Sequence, residues 1–188
     1  MKNKKDIAEK IIKDTEIIKI LSILGDVRIV GSLNLDLLFR NDIDLLVFAQ
    51  NPEESKAIDI TKSLLDMNIF QTVGFSKNLD NDDYPKGYYW ELIYIHNHKK
   101  WKFDIWYLSK EQDYVKNLIT QEKEFEKVLE RYPDRREVIL EIKGEFFDGV
   151  KYSEGLKSIE IYNAVLLNNI SSLEEFKVYW NNELSRDK

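Results

Sequence analysis

The chain has 188 residues, enough for one domain, with or without a modest extension, and for a proper buried core. It carries 28 Lys and Arg against 34 Asp and Glu, a formal net charge of −6, which argues against long nucleic acid as the main partner. With no cysteine and only two histidines, it can form neither disulfides, thiolate sites nor a multi-histidine metal cage. Any metal must therefore be held by carboxylates, which suit hard ions such as Mg²⁺ or Mn²⁺.

Targeting and membrane signals are weak along the chain. The longest unbroken apolar run, residues 45–49, is far too short for a transmembrane helix. Residues 1–5 resemble the basic start of a signal peptide, but charged residues follow in place of an apolar segment. We therefore expect a cytoplasmic protein without a membrane partner.

The first half of the chain alternates between helical and strand patterns. Apolar residues at three- and four-residue steps predict a helix from residue 7 to residue 24, ended by Gly25. A second helix is predicted at residues 51–68, with Asn51 as its cap. Strands are predicted at residues 27–30, 42–49, 69–75, 88–95 and 101–108, the last two forming a hairpin through residues 96–100.

The second half shows helical periodicity without a returning strand pattern. Helices are predicted at residues 111–131, 134–147, 153–167 and 172–180. We therefore predict an α/β (α+β) fold in two parts. Residues 1–109 form a mixed β-sheet with flanking helices, and residues 110–188 form an all-helical C-terminal region.

The residues that point to chemistry lie on the strands. Asp42 and Asp44 are two apart on a predicted strand, so both side chains share one face, with Cα atoms about 6 to 7 Å apart. Such carboxylates repel when ionised, and a divalent metal turns the repulsion into coordination. The preceding strand ends in Gly31-Ser32, which allows close backbone approach and offers a hydroxyl to phosphate oxygens. Asp104 lies on a later strand and, if that strand is adjacent, completes a three-carboxylate site.

This arrangement, over residues 27 to 108, resembles the nucleotidyltransferase superfamily, whose polymerase-β-like members carry a Gly-Ser, a spaced Asp-x-Asp and a later Asp. The resemblance implies that the sheet is a nucleotidyltransferase core. It also implies that Gly31 and Ser32 bind the nucleotide triphosphate. Asp42 and Asp44 would chelate Mg²⁺ or Mn²⁺, and Asp104 would be the third metal ligand and catalytic carboxylate.

The activity implied by the resemblance is transfer of a nucleoside monophosphate from an NTP, most simply ATP, to a hydroxyl. The chain is too short and too acidic for a processive polymerase, so we expect a small molecule or a protein as acceptor. The alternative is a catalytically inactive member of the same fold, kept as an antitoxin-type or nucleotide-sensing partner protein. A plain structural protein whose acids are coincidental is a weaker third interpretation.

Each candidate residue also has an interpretation without chemistry. Asp42 and Asp44 could mark a solvated strand edge, and Asp104 could pair with a nearby lysine. Ser32 could cap a helix. Arg40 and Lys102 are candidate phosphate contacts, but either could be an ordinary surface cation. Glu91 is either a fourth acid of the site or an exposed residue. An aromatic cluster could stack a planar substrate or pack against the protein: Tyr84, Tyr88, Tyr89, Trp90 and Tyr94. We expect His96 and His98 to be exposed turn residues, and a charged helix face to be solvated: Glu122, Lys123, Glu124, Glu126 and Lys127.

Overall fold

The computed structural model describes residues 4–80, 82, 84–147 and 156–184, residue 184 by its backbone alone. The first elements alternate between helix and strand, and the later ones are helical, as the sequence predicts. In chain order they are α1 (Lys4–Asp14), α2 (Ile17–Leu21), β1 (Asp26–Val30), α3 (Gly31–Asn34), β2 (Asp42–Ala49), α4 (Glu54–Asp66), β3 (Phe70–Asn78), β4 (Gly87–His96), β5 (Lys99–Ser109), α5 (Asp113–Arg131), α6 (Arg135–Phe147), α7 (Ser158–Tyr162), a π-helical segment (Asn163–Leu167) and α8 (Leu173–Leu184).

A five-stranded sheet in the order β1-β2-β5-β4-β3 forms the centre of the first half. β2 and β5 are parallel, and the other neighbouring pairs are antiparallel. The sheet is therefore mixed, as predicted, and the α+β fold class is confirmed. The parallel pair places the Asp42 strand beside the Asp104 strand, which is the adjacency that a three-carboxylate site requires.

One face of the sheet is packed against α1, α2 and α4, and it forms the main core. Ile43, Leu45, Phe103 and Ile105 are at most 1% exposed on this inner face. The strict alternation of these apolar residues with the acids sends the acids to the opposite, outer face. There the first part of α5 packs Val115 against a smaller apolar cluster on β2 and β5.

The predicted first helix is interrupted. α1 ends at Asp14 and α2 begins at Ile17, because Glu16 adopts a left-handed conformation with φ of 50°. The buried Thr15 hydroxyl donates to the Ile11 carbonyl oxygen at 2.8 Å and competes with the helix ladder there. α4 also begins later than predicted, at Glu54 with Glu53 in the extended conformation of a cap, so Asn51 is not its cap.

The predicted hairpin is present and is tighter than expected. β4 and β5 extend to His96 and Lys99, which leaves only Asn97 and His98 in the turn. Both turn residues have positive φ, 49° and 61°. Positive φ at both positions is typical of the type I′ turn, whose twist matches that of the two strands it joins. His98 is exposed, as predicted, whereas His96 is half-buried at the end of β4, so the prediction of an exposed turn residue is wrong for His96.

The chain divides into two compact units, residues 1–122 and 123–188. The predicted boundary at 109/110 coincides with the end of β5, whereas the first compact unit also takes in the first half of α5. In the second unit, Lys143 is 2% exposed and donates to the Tyr162 hydroxyl at 2.6 Å. The predicted helix over residues 153–167 corresponds to α7 and the π-helical segment, and its first three residues lie outside the described part of the chain.

Candidate active site

Acidic side chains from three neighbouring strands form one row on the outer face of the sheet. The register pairs Asp44 of β2 with Asp104 of β5, and Asp104 in turn with Glu91 of β4. In the next row Asp42 pairs with Lys102. Because directly paired residues point to the same face, the three aspartates share one surface. Glu91 lies in the row as well and is exposed.

Both carboxylate oxygens of Asp104 are occupied. The Lys102 ammonium lies 2.7 Å from Oδ2, and the Tyr89 hydroxyl donates to Oδ1. The Asp104 side chain is 19% exposed and that of Lys102 is 35% exposed, so the pair is partly shielded from water. The ion pair that the sequence left open as the alternative role of Asp104 is therefore present, with Lys102 as the partner.

The two partners of Asp104, Lys102 and Tyr89, both have a raised pKa. Burial alone would lower the pKa of Lys102, but the hydrogen bond and the charge of Asp104 outweigh it and raise that pKa. Burial raises the pKa of Tyr89, and the hydrogen bond to Asp104 raises it further. Both groups are therefore donors to Asp104 at neutral pH.

Gly31 lies directly beside Asp44. Val30, the last residue of β1, pairs with Asp44, and Gly31 follows it with φ of 68°. A Cβ atom at Gly31 would meet Asp44 Oδ2 at 2.8 Å, so the position needs glycine both for its conformation and for its space. The structure thus places Gly31-Ser32 next to the acids. The α3 cap position is Val30, so Ser32 is not the cap.

The backbone amide of Gly31 is already engaged. It donates to Glu122 Oε1 of α5, while Asn34 Nδ2 donates to Glu122 Oε2 at 3.4 Å. The prediction that Glu122 belongs to a solvated helix face is therefore wrong. Helical periodicity places Glu122 on the apolar stripe of α5, seven residues after Val115 and three before Phe125, so a half-buried position could have been expected from the spacing. The spacing does not show which loop meets that side of the helix.

Arg40 lies in the loop that leads into β2, two residues before Asp42. The next residue, Asn41, fixes this loop to β5: its carbonyl oxygen accepts from Lys102 N at 2.9 Å, and its side chain donates to the Lys100 carbonyl oxygen at 3.1 Å. Arg40 is half-buried at the end of the strand that carries the acids. Its phosphate contact stays a prediction.

No family model and no curated protein matches the sequence. Solved structures do match. A cytoplasmic RNA terminal U-transferase has a TM-score of 0.53 and 16% identity, over 88% of this chain and 48% of that one. The Cid1 poly(U) polymerase has a TM-score of 0.53 and 14% identity, over 86% of this chain and 49% of that one. The polymerase core of TRAMP, an RNA surveillance complex, has a TM-score of 0.53 and 17% identity, over 81% of this chain and 46% of that one.

This chain has the nucleotidyltransferase fold. The three structures share this fold, so the fold that the resemblance implies is confirmed. This chain spans about half the length of each of them. No helix among the described residues combines the length and apolarity needed to cross a bilayer.

The donor set of the nucleotidyltransferase-fold sheet suits a hard divalent ion. Asp42, Asp44 and Asp104 offer carboxylate oxygens on one face, which is the ligand type that Mg²⁺ and Mn²⁺ take. Among the described residues, however, no three His, Asp or Glu side chains come close enough to form a complete metal cluster. Lys102 supplies a positive charge to Asp104 in this conformation.

The aromatic residues of β4 divide between the two faces of the sheet. Tyr88 and Trp90 are buried in the inner core, in line with the packing interpretation. Tyr89 alone turns toward the acids, with its ring centroid 4.9 Å from that of Trp106 on β5. The role of Tyr89 as the partner of Asp104 was missed from the sequence. Strand alternation puts Tyr89 on the same face as Glu91, which pairs with Asp104, so that signal was available.

Proposed function

We propose that this chain is a metal-dependent nucleotidyltransferase, which transfers a nucleoside monophosphate from an NTP, first of all ATP, to a hydroxyl of a small molecule or a protein. One observation carries the proposal. Asp42, Asp44 and Asp104 share a face of two parallel neighbouring strands, with Gly31-Ser32 directly beside Asp44, in a nucleotidyltransferase fold.

In the proposed reaction the acceptor oxygen attacks the α-phosphorus of the NTP. A new phosphorus–oxygen bond forms, the bond to the β-phosphate oxygen breaks, and pyrophosphate leaves. Bound at Asp42, Asp44 and Asp104, Mg²⁺ or Mn²⁺ would neutralise the charge that the phosphates carry. Asp104 takes the proton of the acceptor hydroxyl, and Gly31 and Ser32 bind the triphosphate.

Lys102 has one partner in the structure and another in the proposed nucleotide complex. In the structure its ammonium lies 2.7 Å from Asp104 Oδ2, which prevents that oxygen from acting as a base. A triphosphate beside Asp104 offers the ammonium a more highly charged partner. We propose that Lys102 turns to the phosphates on binding, which frees Asp104 for the acceptor proton. Arg40 is the second cation proposed to contact phosphate.

The acceptor is the open part of the proposal. The net charge of −6 favours a small molecule or a protein over long nucleic acid. The solved structures of the same fold are an RNA terminal U-transferase, a poly(U) polymerase and the polymerase core of an RNA surveillance complex, so an RNA hydroxyl is the second candidate acceptor. Comparing a short oligoadenylate that ends in a free 3′ hydroxyl with one that ends in a 3′ phosphate tests this candidate, because only the first can accept a nucleotide.

The non-catalytic alternative has its own supporting observation. Both oxygens of Asp104 are occupied by Tyr89 and Lys102, and the described residues form no complete metal cluster. A nucleotide-sensing or antitoxin-type partner protein would keep the fold and the nucleotide site without turnover. This alternative predicts nucleotide binding with no transfer of label to any acceptor.

The deciding experiment is calorimetric titration of ATP, GTP, CTP and UTP in the presence of Mg²⁺ or Mn²⁺. We expect metal-dependent binding in the wild type, lost in the double variant Asp42→Asn/Asp44→Asn. The matched control is Asp59→Asn/Asp66→Asn, which removes the same charge from two exposed positions of α4. Nucleotide that fails to bind at millimolar concentration, or that binds equally well to both double variants, contradicts the proposal. Incubation with α-labelled NTP then separates transfer from binding alone.

A further inference from the structure

Glu122 is the side chain of α5 that contacts the Gly-Ser turn. The Gly31 amide donates to one of its carboxylate oxygens, and the Asn34 side chain donates to the other at 3.4 Å. Glu122 is half-buried, whereas the next acid of the helix, Glu124, is exposed. The contact joins residues 91 positions apart in the sequence, so it is not a local capping interaction.

The Gly31 amide donates to Glu122 in the immediate surroundings of the acid row. The Cα of Gly31 lies so close to Asp44 that a Cβ there would be 2.8 Å from Oδ2. Tyr114 of α5 lies in the same surroundings: burial raises its pKa, and the charges of Asp44 and Glu122 raise it further. Asp44 and Glu122 therefore place two negative charges around one backbone amide.

A carboxylate and a phosphate compete for such an amide. Both are anionic oxygen acceptors, and a backbone N–H makes one strong charge-assisted hydrogen bond at a time. A triphosphate on Gly31-Ser32 would therefore have to take the amide from Glu122, and it would be repelled by the carboxylate while that remains. The same reasoning does not apply to an exposed acid such as Glu124, whose charge is screened by solvent.

We propose that Glu122 is a built-in competitor of the nucleotide. Its carboxylate occupies the Gly31 amide in the resting protein and lowers the affinity for the triphosphate, until the side chain turns away. This inference rests on the proposed function, since it takes Gly31-Ser32 as the triphosphate site. It adds a regulatory contact between α5 and that site, which the Gly-Ser and Asp-x-Asp motifs do not contain.

A purely structural role of Glu122 predicts the opposite result. If the carboxylate only holds the turn at Gly31 and Asn34 in place, its removal disorders the site and weakens binding. Glu122→Gln separates the two roles, because the amide keeps the size and one acceptor oxygen while losing the charge. Glu122→Ala removes both the competitor and the hydrogen bond.

The experiment measures binding of MgATP and of Mg-tripolyphosphate, which has neither base nor sugar, to the wild type, Glu122→Gln, Glu122→Ala and the control Glu124→Gln. We expect Glu122→Ala to bind both probes about tenfold more tightly, as loss of one charge-assisted hydrogen bond predicts. Glu122→Gln should show a smaller gain, and Glu124→Gln should match the wild type. Thermal unfolding of each variant identifies any that does not fold, in which case Glu122→Gln decides.

The outcomes separate this inference from the proposed function. If the wild type binds MgATP and neither Glu122 variant binds it more tightly, the competitor role is wrong and the proposed function stands. If no protein in the set binds either probe, both are wrong.

Discussion

The two faces of the sheet carry different kinds of residues on the same strands. The inner face is apolar and almost fully buried, with Phe103 and Trp90 at 0% exposure. The outer face carries Asp42, Asp44 and Asp104, and only part of it is covered by the apolar residues of α5. One strand thus supplies burial on one side and charge on the other. The comparison suggests that substitutions on the inner face change stability, while those on the outer face change binding.

The largest expected effect tests the inner face. Phe103→Ala removes a fully buried ring that packs edge-on against Phe70, with centroids 6.0 Å apart, so we expect the free energy of unfolding to fall by about 3–5 kcal/mol. Ile95→Ala, at a position of β4 that is 41% exposed, is the control and should change it by about 0.5 kcal/mol or less. Urea denaturation measures both. Equal effects at the two positions would contradict the division between the faces.

A medium effect is expected where the outer face meets the Gly-Ser turn. Gly31→Ala forces a side chain into positive φ and against Asp44 Oδ2, so we expect a loss of about 1–3 kcal/mol in stability. Gly74→Ala in β3 is the matched control, because its Cβ would meet nothing closer than 3.5 Å. That substitution should be neutral or stabilise the protein by up to about 1 kcal/mol. In thermal unfolding we therefore expect Gly31→Ala to lower the Tm and Gly74→Ala to leave it unchanged or raise it. A similar loss of stability from both substitutions would show that Gly31 is not special.

The smallest effect concerns the cation of the outer face. Lys102→Gln removes the partner of Asp104, and because the lysine side chain is 35% exposed we expect a loss of only about 0.5–1 kcal/mol. Mn²⁺ should raise the Tm of this variant more than that of the wild type, since the metal replaces the missing charge. Lys77→Gln, which breaks the exposed pair with Glu54 at 2.9 Å, is the control and should show no added response to Mn²⁺. An identical metal response in all three proteins would argue against a metal at Asp104.

Local patterns were enough to predict most of the sheet. The bounds of β2, Asp42–Ala49, are those predicted, because apolar residues alternate with Asp42 and Asp44 and the polar pair Arg40-Asn41 precedes them. The hairpin was predicted because two strand-like segments, residues 88–95 and 101–108, are joined by the short polar stretch 96–100. The break between α1 and α2 was missed, since the apolar spacing continues across Thr15 and Glu16 while the backbone does not.

The candidate site was only partly predictable. Asp42 and Asp44 share a face by strand geometry alone, whereas the parallel pairing of β2 with β5 joins segments far apart in sequence and follows from the motif only by resemblance. The helical spacing places Glu122 in line with Val115 and Ile119, on the buried side of α5. It does not show that the Gly31 amide lies opposite, because that contact joins residues 91 positions apart in the sequence. The roles of the site residues stay predictions.

The ion pair of Lys102 with Asp104 has a consequence for the order of binding. The protein carries its own counter-ion, so the acids can be held together in the folded chain without a bound metal. On the proposed function, a divalent ion reaching Asp104 must displace an ammonium, and the displaced ammonium needs an anion nearby. The triphosphate provides that anion. We therefore expect metal and nucleotide to bind with positive cooperativity, each raising the affinity for the other by the same factor.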